Sequence, residues 1–168
     1  IIMANPDTPH GFDAQGPVYQ RMEFDSDSGD STGIFIGDVL EMHADGYATA
    51  AGVTSVNQIG VSNSYSAAST ASKIMVFTDP HQHYKVQGDS DTAVTAAMNG
   101  GKGDPVLTHA GSTSTKISGM ELDVSDVDSS ASGFLLLRLF PEVGNALGTN
   151  AEVIVVGNEH LLQKAAGM

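Results

Sequence analysis

The sequence predicts an all-β protein: a β-sandwich or β-barrel-like body with an extended N-terminal arm and at most one or two short helices. Three observations lead there. Apolar residues come in short alternating or unbroken runs; polar and Gly-containing turns separate these runs about every eight to twelve residues; and no helical stretch is long enough to carry crossovers between parallel strands. Residues 1–17 are expected to form the arm and residues 18–168 a single β-rich domain.

The arm is read from Met3 to Val18, which holds three prolines and two glycines in sixteen positions and shows neither helical nor alternating periodicity. Each proline fixes its own φ and pushes the preceding residue towards extended conformations, so such a segment loses little entropy when it docks. The alternating run Val18 to Phe24 then predicts a first strand, and Asp25 to Gly33 an acidic loop. The apolar pattern resumes from Gly33 to Met42. Further strands are expected at Tyr47 to Ala51, Gln58 to Val61 and Lys73 to Thr78. Asp79-Pro80 should turn the chain so that His83 to Gln87 returns as a partner strand.

Between Asp89 and Gly101 the sequence predicts one or two helical turns, capped by Asp89 or Ser90 and stopped at Gly100-Gly101. The last third supplies strands at Met120 to Val124, Gly133 to Phe140 and Ala151 to Val156. The unbroken apolar runs of the last two fit central strands, with Leu137 and Ile154 expected in the core.

Twenty acidic residues stand against seven basic ones among 168, a formal net charge of −13. Nucleic acid and anionic membrane surfaces should therefore repel the chain. No Lys or Arg lies between Arg21 and Lys73, where Glu23, Asp25, Asp27, Asp30, Asp38, Glu41 and Asp45 all fall, so a negative, hydrated face is expected. The absence of cysteine excludes thiol catalysis, disulfides and Cys-ligated zinc. The run Phe134 to Leu137 ends at Arg138, far short of the roughly 20 apolar residues that span a bilayer. Ile1-Ile2-Met3 lacks the basic and apolar regions of a secretory signal, so none is expected.

His81 and His83 have the H-x-H spacing that points two imidazoles to one side of a strand, as a metal-dependent hydrolase would require. A polar turn explains them better, since none of His10, His43, His109 and His160 is singled out as a third ligand. Asp25, Asp27 and Asp30 are similar to a calcium loop, but Gly29 and Asp30 reverse the expected order and Ile36 stands where a glutamate is required. No nucleophile elbow, zinc-binding H-E-x-x-H or phosphate loop occurs. No catalytic residue, metal or cofactor is expected.

Three stretches, MANPDTPHGF (Met3 to Phe12), KIMVFTDPHQHYKVQGD (Lys73 to Asp89) and Ser118 to His160, together resemble the capsid cement or decoration proteins of tailed bacteriophages. In that family a basic residue and proline usually follow the opening; here Asp13 and Ala14 do. The resemblance implies a virion protein on the outer surface of the capsid, bound to the major capsid protein and self-associated; trimers are common among such proteins. Asn5, Pro6, Asp7, Thr8, Pro9 and Phe12 would carry the capsid contact, Phe12 as the anchor in a partner pocket. A glycan-binding β-sandwich is the alternative, with four Tyr and no Trp to form a sugar platform.

Overall fold

Runs of Val, Ile, Leu and Phe pair into three antiparallel sheets in the computed structural model, which describes residues 5–125, 127 and 133–163. The expected arm's first residues, 1–4, lie outside the described residues.

The first sheet has the order β1-β7-β12-β11-β8, formed by Asp13–Gln15 (β1), His83–Gln87 (β7), Glu152–Gly157 (β12), Phe134–Leu139 (β11) and Lys102–Gly103 (β8). The second has the order β2-β6-β5-β3-β4: Arg21–Asp25 (β2), Lys73–Phe77 (β6), Gln58–Ser62 (β5), Val39–Met42 (β3) and Ala48–Ala50 (β4). Pro105–Leu107 (β9) and Met120–Leu122 (β10) make a separate ribbon, joined to the end of β7 by a bridge between Gly88 and Leu122. Just after β2, Ser26 bridges Ala48 in the opposite edge strand, so the second sheet curls towards closure. The body is sandwich-like and nearly all-β; among the described residues the helical content is two short 3-10 turns, Ala96–Met98 and Leu161–Gln163. Among the described residues no helix is long and apolar enough to cross a membrane.

Two apolar clusters follow from the period-two alternation of these strands. The larger lies where all three sheets meet, and includes Val39, Val61, Tyr84, Val86, Met120, Leu122, Phe134, Leu136, Val153 and Val155. The smaller gathers Ile34, Leu40, Ala48, Ile59, Ile74 and Val76 from the second sheet and its approach. Neighbours on β3 therefore separate, Val39 into one cluster and Leu40 into the other. On β5, Ile59 is the extra residue of a bulge, since Leu40 pairs with Gly60 and Glu41 with Gln58. Hence Ile59 and Val61 enter different clusters despite their spacing.

Four expectations are corrected. His83–Gln87 does not pair with Lys73–Phe77: Asp79-Pro80 carries the chain from one sheet to the other, and β7 finds its partners in β1 and β12. The helical turn begins after Thr95, not at Asp89 or Ser90, because Asp89 is buried and accepts the Val124 amide instead. Leu137 is the extra residue of a second bulge, between Leu136, paired with Val155, and Arg138, paired with Ile154; it is half-buried while Leu136 is fully buried.

The fourth concerns the N-terminal segment, which is extended, as expected, but folded onto its own body. Phe12 is 1% exposed and belongs to the larger cluster, its ring 4.6 Å from that of Phe134 and 6.5 Å from that of Tyr84. Gly11 has φ +73° and a Cβ there would stand 2.6 Å from the Ser118 Cβ and 2.7 Å from the Gly37 oxygen, so only glycine lets the chain pass this close. Beyond it, β1 completes the edge of the first sheet. Residues before the expected division at 17 and 18 thus pair with β7 and pack on the body, and Phe12 is an anchor in this chain's own core rather than in a partner's pocket.

Candidate functional site

An extended chain presents alternate residues to opposite sides, and residues 6–8 do so beside the first sheet. Pro6, Thr8 and His10 line a cleft of about 420 Å³ together with Lys85, Glu142, Val143, Asn145, Asn150 and Glu152. Asp7 turns the other way, towards Gln87 and His109.

Side chains of the segment fix the cleft walls. The Asn5 amide donates to the carbonyls of Ala146 and Thr149 at 2.8 and 2.9 Å, and its oxygen accepts the Ala146 N–H at 3.1 Å. Asn145 repeats the device, donating to the carbonyls of Phe140 and Glu152 and accepting the Glu152 amide. Together they hold the loop between β11 and β12 against the N-terminal segment. The Gln87 side chain accepts the Thr8 amide at 3.1 Å and donates to Asp7 at 3.2 Å. Because such bonds at both ends of a short segment leave it little freedom, the wall is preorganised.

Charges within the cleft are paired. His10 Nε2 sits 3.1 Å from both oxygens of Glu152, and Lys85 Nζ lies 3.7 Å from Glu142 and 5.1 Å from the Phe140 ring centroid. A histidine oriented by a carboxylate is two-thirds of a triad, and no hydroxyl bonds to His10 among the described residues. Asn150, at φ +55°, has its side-chain oxygen buried without a hydrogen-bond partner among the described residues. Val143, on the rim, is fully exposed, and Leu147 in the same loop is 49% exposed.

The structure separates the remaining candidates. Asn5 and Phe12 are buried, Pro9 is half-buried, and Pro6, Asp7 and Thr8 are exposed. His81 and His83 are both exposed beside a shallow pocket with Tyr19 and Asp79, and the His81 amide donates to Asp79 in the turn. The acidic loop satisfies itself: Asp25 pairs with Lys73 at 2.7 Å, Asp27 accepts the Gly29 amide, and Asp30 accepts Thr32 and Thr49. Although burial tends to raise the pKa of Asp30, those hydrogen bonds hold it below the ordinary carboxylate value. Asp38 goes the opposite way, since burial raises its pKa despite hydrogen bonds from Ser118 and the Phe35 amide.

The sequence reading missed His10 with Glu152, and Lys85 with Glu142; no motif spacing joins residues so far apart, and they meet only where the N-terminal segment and the loop after β11 lie beside the paired strands β7 and β12. No protein-family model matches this chain, and no curated protein or solved structure matches it.

Proposed function

We propose that this chain is a structural protein of a tailed-phage virion, which binds the outer surface of the major capsid protein shell and stabilises it as a cement protein, acting as a homo-oligomer. The observation that carries the reading is the fixed N-terminal wall: the segment that resembles the family opening stands with Pro6 and Thr8 exposed beside the apolar rim of Val143 and Leu147. Phe12 is excluded from the contact by its burial, so the recognition falls to this exposed ridge. A preorganised ridge binds without paying much ordering entropy, and several copies on one shell raise avidity through effective concentration. The net charge of −13 agrees with a position outside the shell, away from packaged nucleic acid.

The test is co-sedimentation with capsids that lack this protein. Wild-type protein should decorate them at saturating stoichiometry, and the pair Pro6→Ala with Val143→Asp should weaken decoration at least about 10-fold, as removing central interface contacts does, without lowering Tm by more than a few degrees. Absence of wild-type decoration would overturn the reading; equal decoration by the variant would move the contact to another face.

A further inference from the structure

On the side of the N-terminal segment opposite the cleft, Asp7, His109 and Glu121 come together from three distant parts of the chain. Asp7 is held by Gln87, His109 follows β9, and Glu121 is the middle residue of β10, paired with Val106. One ligand atom from each of the three lies within 4.8 Å of the other two.

Glu121 gives the cluster its meaning. Its side chain is 1% exposed, and its Oε1 is buried without a hydrogen-bond partner among the described residues. The other oxygen accepts the Thr108 hydroxyl and lies 3.6 Å from His109 Nδ1. A buried carboxylate with an unsatisfied oxygen is unfavourable unless a proton or a positive charge accompanies it.

We propose that Asp7, His109 and Glu121 bind one divalent transition-metal cation, of which zinc is the representative, with water completing the shell on the exposed side. Two carboxylates and an imidazole suit such an ion better than Ca²⁺ or Mg²⁺, which take all-oxygen sets. Metal bonds of about 2.0–2.2 Å require the ligands to draw closer than they stand. Asp7 and His109, both exposed, have the freedom to do so, while the buried Glu121 fixes the base. The Thr108 hydroxyl on Glu121 and the Gln87 amide on Asp7 orient the two carboxylates, as outer-shell partners do in metal sites.

A histidinium bridging the two acids accounts for less. His109 is 3.6 Å from Glu121 and 3.9 Å from Asp7, both beyond hydrogen-bond length, and it leaves Glu121 Oε1 unsatisfied. A cation instead joins the N-terminal segment to the β9–β10 ribbon, and acts as a staple for the fold.

The experiment is calorimetric titration of EDTA-stripped, full-length protein with zinc chloride near pH 7, alongside thermal melts with and without the ion. One zinc per chain is expected; at a free concentration 100 times Kd the folded-to-unfolded ratio should rise about 100-fold, seen as a higher Tm. Asp7→Asn, His109→Ala and Glu121→Gln should each weaken binding by at least about 10-fold, the smallest loss seen even for outer-shell partners. The first two lie on the surface and should fold normally, which keeps the test decisive should Glu121→Gln misfold. His83→Ala should leave binding unchanged. The proposal fails if no stoichiometric zinc binds, if His109→Ala binds as tightly as wild type, or if His83→Ala abolishes binding, since the ion would then sit on the exposed His81 and His83 pair.

Discussion

Phe12→Ala tests whether the N-terminal segment is structural. The ring is 1% exposed and meets Phe134 at 4.6 Å with planes 32° apart, and Tyr84 at 6.5 Å nearly edge-on; Tyr84 and Phe134 themselves meet at 6.2 Å and 89°. Truncation removes one member of this three-ring set and opens a cavity between rigid sheets. The surroundings cannot collapse into it, because the adjacent backbone is held by the Phe12 amide on the Gly37 carbonyl. Phe-to-Ala changes in such sites cost about 3–5 kcal/mol, within a total stability of about 5–15 kcal/mol. For a domain of this size the corresponding loss in Tm is about 6–20 °C. Urea denaturation followed by circular dichroism gives the value directly, provided the m-value is unchanged. Deleting Met3 to Gly16 removes β1 as well and should prevent cooperative folding. A loss below about 1 kcal/mol for Phe12→Ala, or a truncated chain that melts like the full one, would refute the placement of this segment in the core.

Leu136→Ala should cost about 2–5 kcal/mol and Leu137→Ala about 1 kcal/mol, because the bulge puts the second side chain half in solvent; equal losses in urea melts would remove the bulge from the account. Gly60→Ala should cost more than about 3 kcal/mol or abolish folding, since at φ +132° its Cβ would meet the Phe77 carbonyl oxygen at 1.9 Å. Gly46→Ala, at φ +91° in open space, should cost only about 1 kcal/mol, and a thermal melt that ranks the two in reverse contradicts the strand geometry. Burial first, and then Asp123 and Asp91, raise the pKa of Asp89 to about 6. A carboxyl raised on folding contributes stability below its unfolded pKa, and that contribution is lost as pH rises through the folded value. At full weight the rise is worth about 3 kcal/mol, which solvent screening reduces to about 1–2 kcal/mol. Asp89→Asn should therefore be more stable than wild type at pH 7, with the advantage vanishing towards pH 4; a constant difference across that range would contradict the assignment.

Alternation made strands such as β6 legible, because its Ile74 and Val76 are buried between more exposed neighbours. The expected bounds at His83 to Gln87 coincide with β7, and those at Gln58 to Val61 and Lys73 to Thr78 fall within one residue of β5 and β6. Pairing was not legible: Asp79-Pro80 reads as a hairpin turn whether the chain returns beside β6 or crosses to the other sheet, and long-range partners decide between them. The edge strands β1, β8 and β9 hold two or three residues each, too few for any period to register. Bulges escape for the same reason, because one extra residue at Leu137 or Ile59 changes which face is buried while leaving the composition apolar. The cluster of Asp7, His109 and Glu121 has no motif at all, being assembled by the ribbon and the N-terminal segment.

The N-terminal segment shows how far local sequence can reach. Prolines that hold a chain extended and one aromatic among polar residues describe a segment that docks into a pocket, and both features are observed. Which pocket it enters is a non-local question. Gly11 answers it, because its positive φ and its close approach to Gly37 and Ser118 are needed only if the chain runs through this body. Two consequences follow for the proposed capsid binding. Residues that look most like anchors, Asn5 and Phe12, are occupied internally and hold the ridge in place, while the exposed Pro6 and Thr8 are left to meet a partner. Affinity for a capsid should then respond to internal substitutions through lost preorganisation: Asn5→Ala, which removes three hydrogen bonds to the rim loop, should weaken decoration although Asn5 itself is buried. Sedimentation of this variant with capsids, compared with its thermal melt, separates the effects, and unchanged decoration would mean that the rim loop takes no part in binding.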